Sequence, residues 1–356
     1  MDDRTLSFMP SVPVYPPGTT INDRYELRQK LGSDGHVYEA FDRTLQRVVA
    51  LKLLHPEKSG LAQPWDEAQR LEHLRSRFLI DVLNADVIVQ SDIRYIATPL
   101  VTGGDLEAAA RPCGLWFHDA VRFAQQVASG IDRIHAAGMV HRDIKPANVL
   151  RNGDNIFVSD LQFCEIVAAD GRAERNGSWC TLAPETAADH GYCSVKSDVY
   201  SLGATTFYLL SGEYPVDHRL PLGEQKDRIE RGELREIRIV APHVSQAVGT
   251  VVRKAVHFDP DRRFESAEAF ANALAHAAGD TRNWRRVEHQ GHVHCCEGDA
   301  HRGRAAVRVC CVPAGDAVTV EARQAESGRR IANLADASVS KAKLANHLQR
   351  LVRSLG

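Results

Sequence analysis

Asp143, Lys145 and Asn148 set an acid, a cation and an amide close together in the run His141-Arg142-Asp143-Ile144-Lys145-Pro146-Ala147-Asn148. A carboxylate can take a proton from a hydroxyl, an ammonium can offset negative charge as it develops, and an amide oxygen can ligate a hard cation. Phosphoryl transfer needs these three services, because the protein's task there is mostly alignment and charge neutralisation. Pro146 stiffens the turn between cation and amide by fixing its own φ. The alternative is a polar turn with no chemistry, and so many matching types in order make that a poor account.

Two elements must position this run. Ala120, Phe123, Ala124, Val127, Ile131 and Ile134 recur at helical spacing, which predicts a core helix from the Leu115-Trp116-Phe117 region to about Ala137, stopped at Gly138. Beyond the run, Ile156-Phe157-Val158-Ser159-Asp160 reads as a strand ending on an acid. A polar loop between helix and strand with this spacing resembles the H-R-D-x-x-x-x-N loop of protein kinases. It is most similar to the Ser/Thr branch, since Lys145 stands two residues after Asp143. The resemblance implies that Asp143 orients the acceptor hydroxyl and takes its proton. It also implies that Lys145 lies against the γ-phosphate and that Asn148 holds magnesium through its amide oxygen.

The same resemblance extends upstream. Leu31-Gly32-Ser33-Asp34-Gly35-His36-Val37 is similar to the glycine-rich loop over ATP phosphates, but about two residues shorter, and by itself it fits a hairpin turn better. Val48-Val49-Ala50-Leu51-Lys52-Leu53-Leu54 resembles the strand carrying the phosphate-anchoring lysine. Lys52 needs a counter-charge on such a half-buried strand, and Glu67 is the expected one, ahead of Asp66 and Glu72. Tyr95 to Leu106 resembles the last small-lobe strand and hinge. Thr98 would guard the back of the adenine pocket, Pro99 would offer its carbonyl and Val101 its backbone N–H. Val37, Ala40 and Ala50 would form the apolar roof and Leu150 the floor, although simple core packing accounts for the same residues.

Downstream, Asp160 follows Asp143 by seventeen residues, where the family holds the second magnesium ligand. Leu161 and Gln162 replace the usual Phe and Gly, and Gln162 removes backbone freedom. No Ser, Thr or Tyr occurs between Leu161 and Gly177, so the usual loop phosphosite is missing. Arg142 would normally pair with such a phosphate, and Glu165 or Glu174 could substitute as a fixed acid. Ser178 stands where the family has a Thr contacting the catalytic Asp. Glu185 in Ala183-Pro184-Glu185 and Arg263 are expected partners, and Asp198 in Ser197-Asp198-Val199-Tyr200 is expected to hold the catalytic loop's backbone.

Composition sets the frame. Apolar content of 44% and charged content of 25% are those of an ordinary globular chain, and a net charge of −2 argues against general nucleic-acid binding. No apolar run approaches a membrane span, and the start lacks a signal peptide's pattern, so a cytoplasmic protein is expected, with its eight cysteines reduced. The expected fold class is α+β: a bilobal kinase-like domain over 21–279, with a small β-rich lobe at 21–101 and a large helical lobe at 102–279. A Pro-rich loose leader covers 1–20, and a small α+β module of unknown function covers 281–356.

The module is basic, with thirteen Lys and Arg against seven Asp and Glu from Thr281 onward. It could dock on the acidic kinase domain, or bind a protein partner or nucleic acid. Arg304 to Val312 and Ala317 to Ala322 read as strands, and Ser340 as the cap of a helix with Leu344, Leu348, Leu351 and Leu355 on one stripe. His289, His292, His294, Cys295, Cys296, His301, Cys310 and Cys311 invite a zinc reading. Adjacent cysteines on a strand face opposite ways, however, so buried strand cysteines and solvated histidines are the favoured account.

The resemblance therefore implies an ATP- and Mg-dependent Ser/Thr protein kinase, acting on protein hydroxyls and not controlled by activation-loop phosphorylation. The rival is a pseudokinase scaffold, supported by the short glycine loop and Gln162. Phosphorylation of a small molecule fits less well with the segments around Glu185 and Asp198.

Overall fold

The computed structural model describes residues 14–32, 36–54, 74–89, 91 and 93–356. They divide into two compact units, one holding residues up to Gly104 with Leu150–Gln162, the other Asp105–Val149 with Phe163–Gly356. The expected class is observed: a β-rich unit, a helical unit and an additional C-terminal sheet.

In the first unit, β1 (Thr20–Ile21), β2 (Tyr25–Leu31), β3 (Val37–Asp42), β4 (Arg47–Leu54), β5 (Asn84–Val87) and β6 (Arg94–Pro99) form one antiparallel sheet in the order β1-β2-β3-β4-β6-β5. Alternation turns Tyr25, Leu27, Tyr38, Val49, Leu51 and Leu53 into its core. The alternating run Ile21–Leu27 predicts one strand from its pattern, but the chain turns within it to make a hairpin. Asn22 and Asp23 take φ of 47° and 55°, a left-handed geometry that Asn and Asp tolerate better than other side chains. The chain is already tied down before β1, with the Tyr15 N–H donating to the Tyr38 hydroxyl at 3.1 Å and the Gly18 N–H to the Leu27 carbonyl at 2.7 Å.

Ala40 corrects one expectation. It lies three residues from Val37 on a strand, hence on the opposite face, and is fully buried in the core rather than roofing a pocket. A hairpin of β7 (Val149–Asn152) and β8 (Asn155–Val158) completes this part of the chain, with the Arg151 N–H donating to the Gly104 carbonyl at 2.8 Å and the Ile80 N–H to the Val158 carbonyl at 2.9 Å.

The second unit is helical around α3 (Val195–Ser211), which is buried on all sides from Ser197 onward. Ser194 and Ser197 close a capping box at its start, and Gly212 turns the chain at φ 74° at its end. α2 (Phe117–Ala136) packs on α3 and on α6 (Ala267–Ala278), while α5 (Gln246–Ala255) packs on both α3 and α6; α1 (Leu106–Ala110) also packs on α3, and α4 (Leu222–Arg231) packs on the short helix Pro184–Ala187. A Cβ at Gly203 would meet Ala255 Cβ at 2.6 Å, so glycine is what allows α3 and α5 to approach this closely.

The C-terminal module is a five-stranded antiparallel meander of β9 (Trp284–Val287), β10 (His294–Gly298), β11 (Val307–Ala314), β12 (Ala317–Gln324) and β13 (Ala337–Ser340), followed by α7 (Leu344–Leu355). Leu344, Leu348, Val352 and Leu355 close the core of this sheet. Ser340 does not cap α7 directly. A 3-10 turn over Lys341–Lys343 intervenes, and the serine side chain makes no capping bond.

The module packs on the helical unit, as one of the three readings of its charge anticipated. Arg286 reaches Glu213 at 3.8 Å, the Arg285 guanidinium stacks 4.6 Å from the centre of the Trp116 ring, and the Gln349 amide donates to the Arg238 carbonyl at 2.9 Å. No helix among the described residues is long and apolar enough to cross a membrane.

Candidate active site

Gly138, at φ 73°, turns the chain out of α2, and Met139–Val140 then pairs antiparallel with Glu165–Ile166. This short ladder delivers residues 141 to 148. Asp143 is nearly buried, at 6% exposure, and its carboxylate is met by polar groups. Its Oδ1 accepts from the Ser178 hydroxyl at 2.8 Å, and its Oδ2 lies 2.9 Å from both Lys145 Nζ and Asn148 Nδ2. Lys145 also donates to the Ser178 hydroxyl at 2.8 Å, so acid, cation and hydroxyl close a triangle. Asn148 donates a second time to the Asp143 carbonyl at 2.8 Å, which turns its amide nitrogen toward Asp143 and its oxygen away. Burial pushes the Asp143 pKa up, but the Lys145 ammonium and the Ser178 hydroxyl outweigh it and hold the group below the usual carboxylate value.

The backbone of this loop hangs from Asp198. That carboxylate, itself buried, accepts the His141 N–H at 2.8 Å, the Arg142 N–H at 3.0 Å and His135 Nε2 at 2.9 Å. The His135 contact was not legible in the chain, where a histidine near a helix end has many possible uses. Arg142 sits at φ 71°, a strained value for a long side chain that the two flanking N–H bonds help to maintain. Its guanidinium pairs with the Glu165 carboxylate and donates to the carbonyls of Phe163 at 2.7 Å and Glu174 at 3.0 Å. Of the two candidate acids, Glu165 supplies the charge and Glu174 only a backbone oxygen. Arg263 is fully buried and grips Glu185 through two bonds of 2.6 and 2.7 Å, with its remaining donors on the carbonyls of Lys196, His257 and Phe258.

The other predicted residues lie in the first unit. Register sets Val37 opposite Lys52, and Ala50 opposite Thr98, so these four share the face of the sheet away from its core. Lys52 Nζ reaches Asp160 Oδ1 at 2.6 Å. Asp160 is held at φ 60° just after β8, and Leu161, next in line, is buried. Pro99 ends β6, Val101 follows it, and Leu150 lies in β7. Gly32 adopts φ 71°, which only glycine takes without strain. Glu67 and Gly35 fall outside the described residues. The Gln162 amide nitrogen is buried without a hydrogen-bond partner, the one polar misfit in this stretch.

In the second unit, the Asn148 amide turns its oxygen away from Asp143, a hard donor of the kind a magnesium-type ion takes; in the first unit, the Asp160 carboxylate is a donor of the same class. Lys52 and the apolar face of Val37 and Ala50 likewise fit a phosphate-bearing nucleotide.

Comparison with known proteins places the chain in a family. The family described as the protein kinase domain matches residues 25–276, a match that ends before the C-terminal module. The serine/threonine-protein kinase PrkC of Bacillus subtilis is 31% identical over 262 residues, covering 70% of this chain and 40% of that protein. The serine/threonine-protein kinase PknJ of Mycobacterium tuberculosis is 32% identical over 283 residues, covering 73% of this chain and 46% of its own length. The chain thus spans under half the length of both of these curated relatives.

Proposed function

The chain belongs to the protein kinase family, and from that premise we propose that it is a Ser/Thr protein kinase using ATP and magnesium. The observation that carries the proposal is Asp143, nearly buried, kept ionised, and held from three sides by Lys145, Ser178 and Asn148. A carboxylate so arranged can accept the proton of an acceptor hydroxyl while the new O–P bond forms and the bond to the departing diphosphate breaks. Lys145, beside it, is suited to offset charge on the transferring group. Lys52 would anchor the nucleotide's phosphates, with Thr98, the Pro99 carbonyl and the Val101 N–H on the adenine side and Leu150 beneath. Asn148 and Asp160 would hold magnesium, which when bound neutralises charge on the phosphates.

Control of the loop is part of the proposal. Glu165 already meets the Arg142 guanidinium that would otherwise receive a phosphate, and no hydroxyl residue occurs between Leu161 and Gly177. The enzyme would then be active without loop phosphorylation.

The test is purified protein with Mg-ATP and casein or basic protein as acceptor, beside Asp143→Ala and Lys52→Ala. Transfer abolished in both variants supports the enzyme. A wild-type protein that folds but transfers nothing would leave a scaffold role.

A further inference from the structure

We propose that His289, His292, Cys295 and Cys310 form a tetrahedral site for a soft divalent cation, with zinc as the ion of best fit. The site lies in the C-terminal module and is separate from the phosphoryl-transfer residues.

Register brings it together. β10 and β11 each carry a cysteine doublet, and within one doublet the neighbours point to opposite faces. Pairing, however, sets Cys295 directly opposite Cys310, so one cysteine from each doublet meets on the same face. Cys296 and Cys311 go the other way, into the core beneath α7. The two histidines come from the connection between β9 and β10. There the His292 N–H donates to the His289 carbonyl at 3.1 Å, and Gly291 takes φ 79°, a turn that glycine makes without strain. That turn sets the two imidazoles edge to face, 5.4 Å apart, over the cysteine pair.

The four ligand atoms all lie within 4.8 Å of one another. His292 Nδ1 is 3.1 Å from Cys295 Sγ, and His289 Nδ1 is 3.3 Å from Cys310 Sγ. A tetrahedral zinc with ordinary Zn–N and Zn–S bonds needs ligand atoms about 3.3 to 3.8 Å apart. The set therefore stands near the size of the coordination shell.

The chemistry points the same way. Two thiolates and two neutral imidazoles balance the charge of a divalent ion, and an S₂N₂ set selects zinc over magnesium or calcium. The neighbouring cations do not oppose it. Arg308 is paired with Glu297 at 2.8 Å, and Arg323 with both Glu321 and Asp336. Four protein ligands leave no open position, so the role is structural: the ion would pin the β9–β10 connection to the sheet.

The experiment uses the full chain, expressed with zinc and exchanged into metal-free buffer. One zinc per chain is expected by elemental analysis and by native mass spectrometry. Cys295→Ser, Cys310→Ser and the double variant His289→Ala/His292→Ala should each fall below a tenth of that, while Cys113→Ser retains it. Replacement by cobalt should give the visible spectrum of tetrahedral thiolate coordination. Because a variant that misfolds also loses metal, wild-type protein is also alkylated before and after chelation. Protection of Cys295 and Cys310 that vanishes with chelator supports the site. A metal-free wild-type chain, full retention of zinc in Cys295→Ser, or a Cys295–Cys310 disulfide found in protein purified under reducing conditions would overturn it.

Discussion

The Arg142 guanidinium is neutralised by the carboxylate of Glu165, which lies on the short antiparallel ladder that leads into the catalytic loop carrying Arg142. A permanent acid thus stands where the resemblance leads one to look for a phosphate. Glu165→Ala should lower the turnover number by about ten- to a hundredfold, the worth of a charged hydrogen bond of about 1.5–3 kcal/mol. Wild-type activity should survive phosphatase treatment. Initial-rate assays on both samples decide the matter, and loss of wild-type activity after phosphatase would refute the fixed-acid account.

Ser178 bridges Asp143 and Lys145, donating to one and accepting from the other. Ser178→Ala should reduce the turnover number about tenfold or more, with little change in KM for ATP. Ser178→Thr, which keeps the hydroxyl, should restore most of it. Equal activity in all three proteins would remove the serine from the site.

Arg263 and Glu185 form a buried ion pair with two hydrogen bonds. Taking away one charge strands the other, at a cost of about 3–5 kcal/mol. Arg263→Ala should therefore shift the urea midpoint strongly downward. Removing both charges in Arg263→Leu/Glu185→Leu should recover a large part of the loss. A double variant no more stable than the single would argue against a charge-pair origin.

Two histidines at the contact between module and helical unit should make stability depend on pH. Burial pushes His243 down to about 3, with His294 and Arg286 adding to the effect, and pushes His294 down to about 4, again with help from Arg286. Below the ordinary value of about 6.5, the unfolded chain takes up protons at these rings and the folded chain does not. Stability should then fall as pH drops from about 6.5 toward 4, at up to about 1.4 kcal/mol per pH unit for each ring. Asp143 and Asp198, whose pKa values are lowered from 3.8, act only below that window. Denaturant melts between pH 7 and pH 5 should show the slope, and His294→Gln should flatten it. A pH-independent midpoint would contradict the assignment.

Some of this was legible in the chain and some was not. Asp143, Lys145 and Asn148 could be read because phosphoryl transfer restricts residue type at fixed spacing, and spacing is a property of the sequence; Asp198 could be read only through the resemblance of its segment to the family. Lys52 could be read because the run around it resembles the lysine strand of the family, and strand alternation excludes Ala40 from the roof. Other features depend on which strand lies beside which, or on how a segment folds back, and no local pattern carries that. Glu165 over Glu174 was decided by a two-residue ladder. The meeting of Cys295 with Cys310 was decided by the register of β10 against β11. Residue types and intervals state what chemistry is available. The pairing of distant strands states which atoms come within bonding distance, because register is set by the packing of a whole sheet.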